Sequence, residues 1–175
     1  LSWLYAKANK HQRALTLVRE LIGKARHYET RAALRFRAAQ LFVRLGQERW
    51  ALSFLRAALV EDAGSAWDQD IASELSRLAS KLSKPALSPG EQMRRLNRLL
   101  THMDAEKTLT ELDLTLQKAP AKHRPALQRL KVRALLLSGK PEDALSLMKD
   151  WRGPFKDKEL YWIRALRRAG RFEEQ

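Results

Sequence analysis

The chain has 175 residues, 45% hydrophobic and 31% charged, a globular composition and not a disordered one. It has no cysteine, which excludes disulfides and thiolate metal sites, and no apolar run approaching the roughly 20 residues of a membrane span. A formal net charge of +14 points either to polyanionic partners (nucleic acid, anionic membrane, anionic cell-wall polymer) or to a solvated basic surface.

Glycine and proline number only 7 and 6, and the remainder is rich in Leu, Ala, Arg, Lys and Glu, all strong helix formers. Runs of β-branched residues are few, so the chain is predicted to be all-α. It starts Leu1-Ser2-Trp3 and stops at "RFEEQ", partway into what reads as a further helix. Both ends read as cut, so the expectation is a fragment of a longer protein, with any targeting signal outside it.

The first segment, "KANKHQRALTLVREL", has Asn9 at a turn and Ala14 five residues later. "LFVRLGQERWALSFLRAAL" reads as two helices broken at Gly46, with Ala51 five residues on. Trp67, Ile71, Leu75, Leu78 and Leu82 then form one stripe, predicting an additional helix over 66–82 with Ser65 as its N-cap and Asp68 three residues on. Pro85 must break it. The next helix starts at Ser88, with Pro89 at its first position and Glu91 completing a capping box; Met93, Leu96, Leu99, Leu100 and Met103 are its apolar face. Met103 and Thr108 mark the next turn. Pro125 opens a helix with Leu127, Leu130, Ala134 and Leu137 facing inward. Gly139 with Ala144 repeats the turn, and Gly170 starts it once more.

These turns recur at close to the roughly 34 residues of a helix pair, except for one interval that holds the additional helix. Glycine or asparagine can take the left-handed conformation that ends a helix. A small Ala51 or Ala144 lets the second helix lie close to the first, and Leu52, Leu55, Leu145, Met148 and Trp151 fill the space between pairs. The pattern resembles the tetratricopeptide repeat, most clearly at Gly46/Ala51/Ala58 and Gly139/Ala144; the bulky aromatic usual early in the first helix is absent from most units, and Trp162 only approximates it. The expected architecture is an α-solenoid of antiparallel helix pairs, a tetratricopeptide-like superhelix. It divides into segments 1–84 and 85–175 of one solenoid; an irregular helical bundle is the alternative.

The resemblance implies that the first helix of each pair lines a groove. Counting back from the turns, the groove-facing positions include Phe36, Gln40 and Arg44, then Met93 and Asn97, then Arg129 and Arg133, and finally Arg164, Arg167 and Arg168. Arginine at such positions can hold carboxylates or phosphates through its fork of donors, or it can simply solvate the surface.

Catalytic patterns are scarce. His11, His27, His102 and His123 are far apart, and only His102, near Asp104 and Glu106, approaches ligand spacing. There is no GxGxxG, GKS/T or GxSxG. The carboxylates mostly fall in turns or first helical turns, where they suit the helix dipole. No active site, metal or cofactor is expected in the chain.

The order of elements resembles the α-superhelical N-terminal region of soluble lytic murein transglycosylases of the Slt type. The matching strings are Leu87, Ser88, Pro89 and Glu91, and Tyr161, Trp162, Ala165, Leu166, Gly170 and Arg171. That resemblance, over about residues 30 to 175, implies a non-catalytic scaffold that supports a peptidoglycan-cleaving enzyme on the periplasmic cell wall, its catalytic domain lying outside this chain. Two other readings stand beside it. One is a tetratricopeptide scaffold, periplasmic or cytoplasmic, whose basic groove binds an acidic protein segment. The other is a nucleic-acid-binding helical repeat, motivated by the charge.

Overall fold

Gly46, Gly139 and Gly170 all adopt left-handed backbone, with φ of 69°, 73° and 74°. Each ends its helix in the same way. The N–H of the residue after the glycine donates to a carbonyl five residues back: Gln47 to Phe42 at 2.8 Å, Lys140 to Leu135 at 2.9 Å, Arg171 to Leu166 at 3.0 Å. That bond, with the left-handed residue inside it, satisfies a carbonyl the helix end would orphan and turns the chain sharply. Ala51 and Ala144, five residues beyond two of these glycines, are completely buried. The repeating unit is therefore tetratricopeptide-like in its turn and in its close helix contact.

The computed structural model describes residues 10–102, 104–151 and 158–171. The turn positions read at Asn9 and Met103 lie outside them. The described residues form nine α-helices: α1 His11–Lys24, α2 Tyr28–Arg44, α3 Glu48–Glu61, α4 Asp68–Lys81, α5 Pro89–Thr101, α6 Ala105–Lys118, α7 Arg124–Leu137, α8 Pro141–Lys149 and α9 Lys158–Ala169, with one 3₁₀ turn, Ala121–His123. The fold is all-α, built of helix pairs in the α-solenoid manner. It divides into two units, Leu1–Arg98 and Leu99–Gln175.

In the first unit α1 packs on α2, α2 on α3, and α3 on α4. The core holds Val18, Leu41, Phe42, Leu55, Ile71, Leu75 and Leu78, with completely buried Ala32, Ala38, Ala39, Ala51 and Ala58 among them. Each large aliphatic side chain contributes about 1.5–3 kcal/mol by leaving water, and the alanines allow the helix axes to approach. In the second unit α6 packs on α7, α7 on α8, and α8 on α9, which also reaches α7. Its buried residues include Leu112, Leu130, Val132, Ala134, Met148, Ala165 and Leu166.

Where the expected elements shift, the cause is local. The additional helix begins at Asp68, and Trp67 is left partly exposed ahead of it, its ring 5.9 Å from that of Phe36. Ser65 does not cap it. Its hydroxyl donates to Asp68 Oδ1 at 3.2 Å, and the Gly64 N–H donates to Oδ2 at 3.1 Å, so Asp68 organises the loop. The Ser88 capping box forms as expected: Ser88 N–H donates to Glu91 Oε2 at 2.7 Å and Glu91 N–H to Ser88 Oγ at 3.3 Å. Burial acts to raise the Glu91 carboxyl, but the Ser88 N–H and hydroxyl, with Arg56 and Arg94 nearby, hold it below its ordinary value. Leu137, expected on the inner face of its helix, is exposed.

The sequence offers no sign of the polar cluster at the α3–α4 connection. Asp62, completely buried, accepts from Arg31 Nε at 2.9 Å and from an Arg35 terminal nitrogen at 2.6 Å. Arg35 also donates to the Ala57 carbonyl at 3.1 Å. From α5, buried Arg95 donates to the Leu59 carbonyl at 2.6 Å and to Asp68 at 2.8 Å. Two carbonyls near the end of α3, those of Ala57 and Leu59, are thus held by arginines of two other helices, the favourable charge for a helix C-terminus. Burial pushes the Asp62 carboxyl above its ordinary value, with Arg35 and Arg31 opposing the shift.

Candidate functional site

The eight groove positions divide between the units. Gln40 and Arg44 sit one turn apart on α2; Gln40 Oε1 accepts from Arg37 at 3.2 Å, and Arg44 is exposed in the last turn. Asn97, on α5, donates to the Met93 carbonyl of its own helix at 3.1 Å. Phe36, also read as groove-facing, is covered in part by Trp67.

The second unit brings three of the eight together. Arg133 of α7 and Arg164 and Arg168 of α9 line one recess of about 220 Å³, floored by Leu136, Leu137 and Tyr161. The placement follows from helical spacing. Arg133 and Leu137 are four residues apart on α7, and Tyr161, Arg164 and Arg168 recur at three and four on α9, so each set shares a stripe. The Gly139 and Gly170 turns end α7 and α9 in the same way, and α9 packs on α8 and reaches α7, which is why the stripes meet. Arg164 lies with its guanidinium carbon 5.9 Å from the Tyr161 ring centroid, a cation–π arrangement that holds the fork on an apolar face.

Arg168 has a second task. One of its terminal nitrogens donates to the Leu136 carbonyl at the end of α7. A guanidinium carries five donors, so the rest of the fork can serve the recess while this one fastens α9 to α7. Arg129 is half-buried one turn before Arg133, and Arg167 is exposed beside Arg168; neither lines the recess. Tyr161, Leu136 and Leu137 line it without having been read as site residues. The 3–4 spacing of Tyr161 to the arginines was a signal for the first of these.

The recess is suited to electrostatic work. Among the described residues its lining presents cations and an aromatic face. Among the described residues no group of three or more His, Cys, Asp or Glu side chains is arranged to hold a metal, and no helix is long and apolar enough to cross a membrane.

No protein-family model and no curated protein matches the chain. Among solved structures it is similar to two of a Podosopora anserina protein described as a kinesin light chain with nearly identical TPR-like repeats, one of them a single-substitution form. Each is 16% identical over 99% of this chain, with 85% and 86% of those chains covered and a TM-score of 0.42. By its own turns and helix pairs, the chain is a tetratricopeptide-like helical repeat.

Proposed function

We propose that the chain is an interaction scaffold whose second unit receives an acidic segment of a protein partner in the Arg133–Arg164–Arg168 recess. The observation that supports this is the convergence of three arginines and Tyr161 from α7 and α9 on one concavity. Carboxylates match the guanidinium fork, and the apolar floor accepts the stem of an Asp- or Glu-bearing segment. The test is fluorescence anisotropy with a labelled acidic peptide on the whole chain. Arg133→Ala with Arg164→Ala should weaken binding about tenfold, the loss of two charge-assisted contacts. Equal affinity in that double variant would overturn the reading. Arg168 is left intact because it also fastens α9.

The narrower reading, a scaffold region of a periplasmic lytic transglycosylase acting on peptidoglycan, rests on the strings at Leu87–Glu91 and Tyr161–Arg171. Both strings have structural uses of their own: Ser88 and Glu91 form the capping box, and Gly170 ends α9. The comparisons add nothing to it. Pelleting of the chain with purified peptidoglycan at low salt would support it, and retention in the supernatant would remove it. For nucleic acid, the corresponding sign is affinity that falls steeply with salt.

A further inference from the structure

The side of α7 turned away from the arginine recess faces a different concavity. At about 100° per residue, Lys131 and Leu135 lie roughly opposite Arg133 and Leu137. There α6, α7 and α8 enclose a groove of about 750 Å³. Its apolar surface includes Leu109, Leu147 and Leu114, the last 56% exposed. The groove's charge runs against that of the molecule. Four carboxylates line it, against two lysines, in a chain of net charge +14. Both lysines are already matched, Lys131 to Asp113 at 2.6 Å and Lys140 to Glu106 at 2.9 Å. Asp143, in the first turn of α8, and Asp150, just past its end, make no ion pair among the described residues.

We infer that this groove is a second docking surface, and that its occupant is a basic amphipathic helix of a partner protein. A leucine-lined trough between packed helices is the setting in which a helix lays down an apolar stripe of i, i+3, i+4 and i+7 anchors. Asp143 and Asp150 on the rim then meet Lys or Arg on the flanks of that helix. Charge complementarity selects the occupant. An acidic helix would meet unpaired carboxylates, whereas a basic helix gains attraction here and is repelled by most of the remaining surface. The inference does not depend on the acidic-segment reading of the recess, because the two concavities use opposite faces of α7.

The probe is a labelled peptide of about 18 residues, five helical turns, with Leu at i, i+3, i+4 and i+7 and Lys on its polar face, titrated into the whole chain by anisotropy. Two control peptides carry Glu in place of Lys, or the same residues scrambled. The Lys peptide should bind, the Glu peptide should not, and the scrambled peptide should bind at least tenfold more weakly. Asp143→Asn with Asp150→Asn should weaken binding about fivefold to tenfold, as expected for two rim pairs. Leu114→Ala should weaken it about tenfold through lost apolar burial. Both substitutions are at exposed positions, and unchanged melting curves would confirm intact folding. Arg133→Ala with Arg164→Ala, which abolishes two contacts of the recess, should not weaken this affinity, which separates the groove from the recess. Equal binding of the scrambled peptide, insensitivity to the α8 and Leu114 variants, or self-association of the chain with no affinity for the peptide would each overturn the inference.

Discussion

Replacing Gly46 by alanine isolates the backbone contribution of the repeat turn. A Cβ at Gly46 meets no atom within 4 Å, so no steric term enters. The residue sits at φ 69°, inside the bond from Gln47 to Phe42. Left-handed backbone costs a non-glycine residue about 1–2 kcal/mol, and restricting the unfolded chain returns about 0.4–1 kcal/mol. Gly46→Ala should therefore destabilise by about 1 kcal/mol, lowering Tm by about 2–4 °C in a chain of this size. The same substitution at Gly23, inside α1 and also free of steric conflict, should raise stability, by up to about 1 kcal/mol. Ser83, at φ 50° in the equivalent bond from Lys84 to Ala79, supplies the mirror experiment. Ser83→Gly relieves the left-handed strain and should stabilise by about 0.5–1 kcal/mol after the added unfolded-state entropy. Urea and thermal melts read all three. If Gly46→Ala and Gly23→Ala shift stability in the same direction, the turn is not what the helix ends depend on.

Ala51→Trp should cost about 1–3 kcal/mol by overpacking a completely buried site in the core that α2 and α3 share, and an unchanged melt would show that this contact is misread. Asp62→Ala should cost about 3–5 kcal/mol, because it strands Arg31 and Arg35, whose side chains are only 28% and 19% exposed. Asp62→Asn should cost less than that, since burial already disfavours the charged form; equal losses by urea melt would contradict it. Two carboxyls should also leave opposite marks on stability against pH. Glu91, held below its ordinary value, contributes stability above that value and loses it as pH falls through the folded one. The wild type should therefore lose its advantage over Glu91→Gln on acidification below about pH 4.5. Asp62, pushed upward, contributes most in acid and less as pH rises through its folded value, so its difference from Asp62→Asn should drift the other way.

Much of the architecture was legible because its signals are local. Glycine is the residue that accepts left-handed backbone at no steric cost, so Gly46, Gly139 and Gly170 marked their turns. Ser83 makes the same turn and went unread, since a serine there carries no such signal. The capping box was readable because Ser88 and Glu91 are three residues apart. The clusters around Asp62 and Asp68 were not, because their arginines come from 27 to 31 residues away and meet them only after the helices pack. Counting back from the turns brought Arg133, Arg164 and Arg168 to one recess, since the turn sets the phase of each helix. It also spread the candidate site over Gln40, Arg44 and Asn97 of the other unit, because spacing alone carries no measure of which stripes face one another. That Arg168 commits a donor to Leu136 depends on where the end of α7 falls relative to α9, and no spacing rule contains that.

For an acidic segment bound as proposed, the Arg168 bond would link filling of the recess to the seating of α9 on α7. A segment that drew Arg168 wholly toward itself would have to release the Leu136 carbonyl, and so would loosen the contact between α7 and α9. One satisfied by Arg133 and Arg164 would leave that contact intact, and would be bound more tightly by a chain in which α9 is already in place. Segments of equal charge would then be sorted by whether they compete with a carbonyl oxygen of the fold itself.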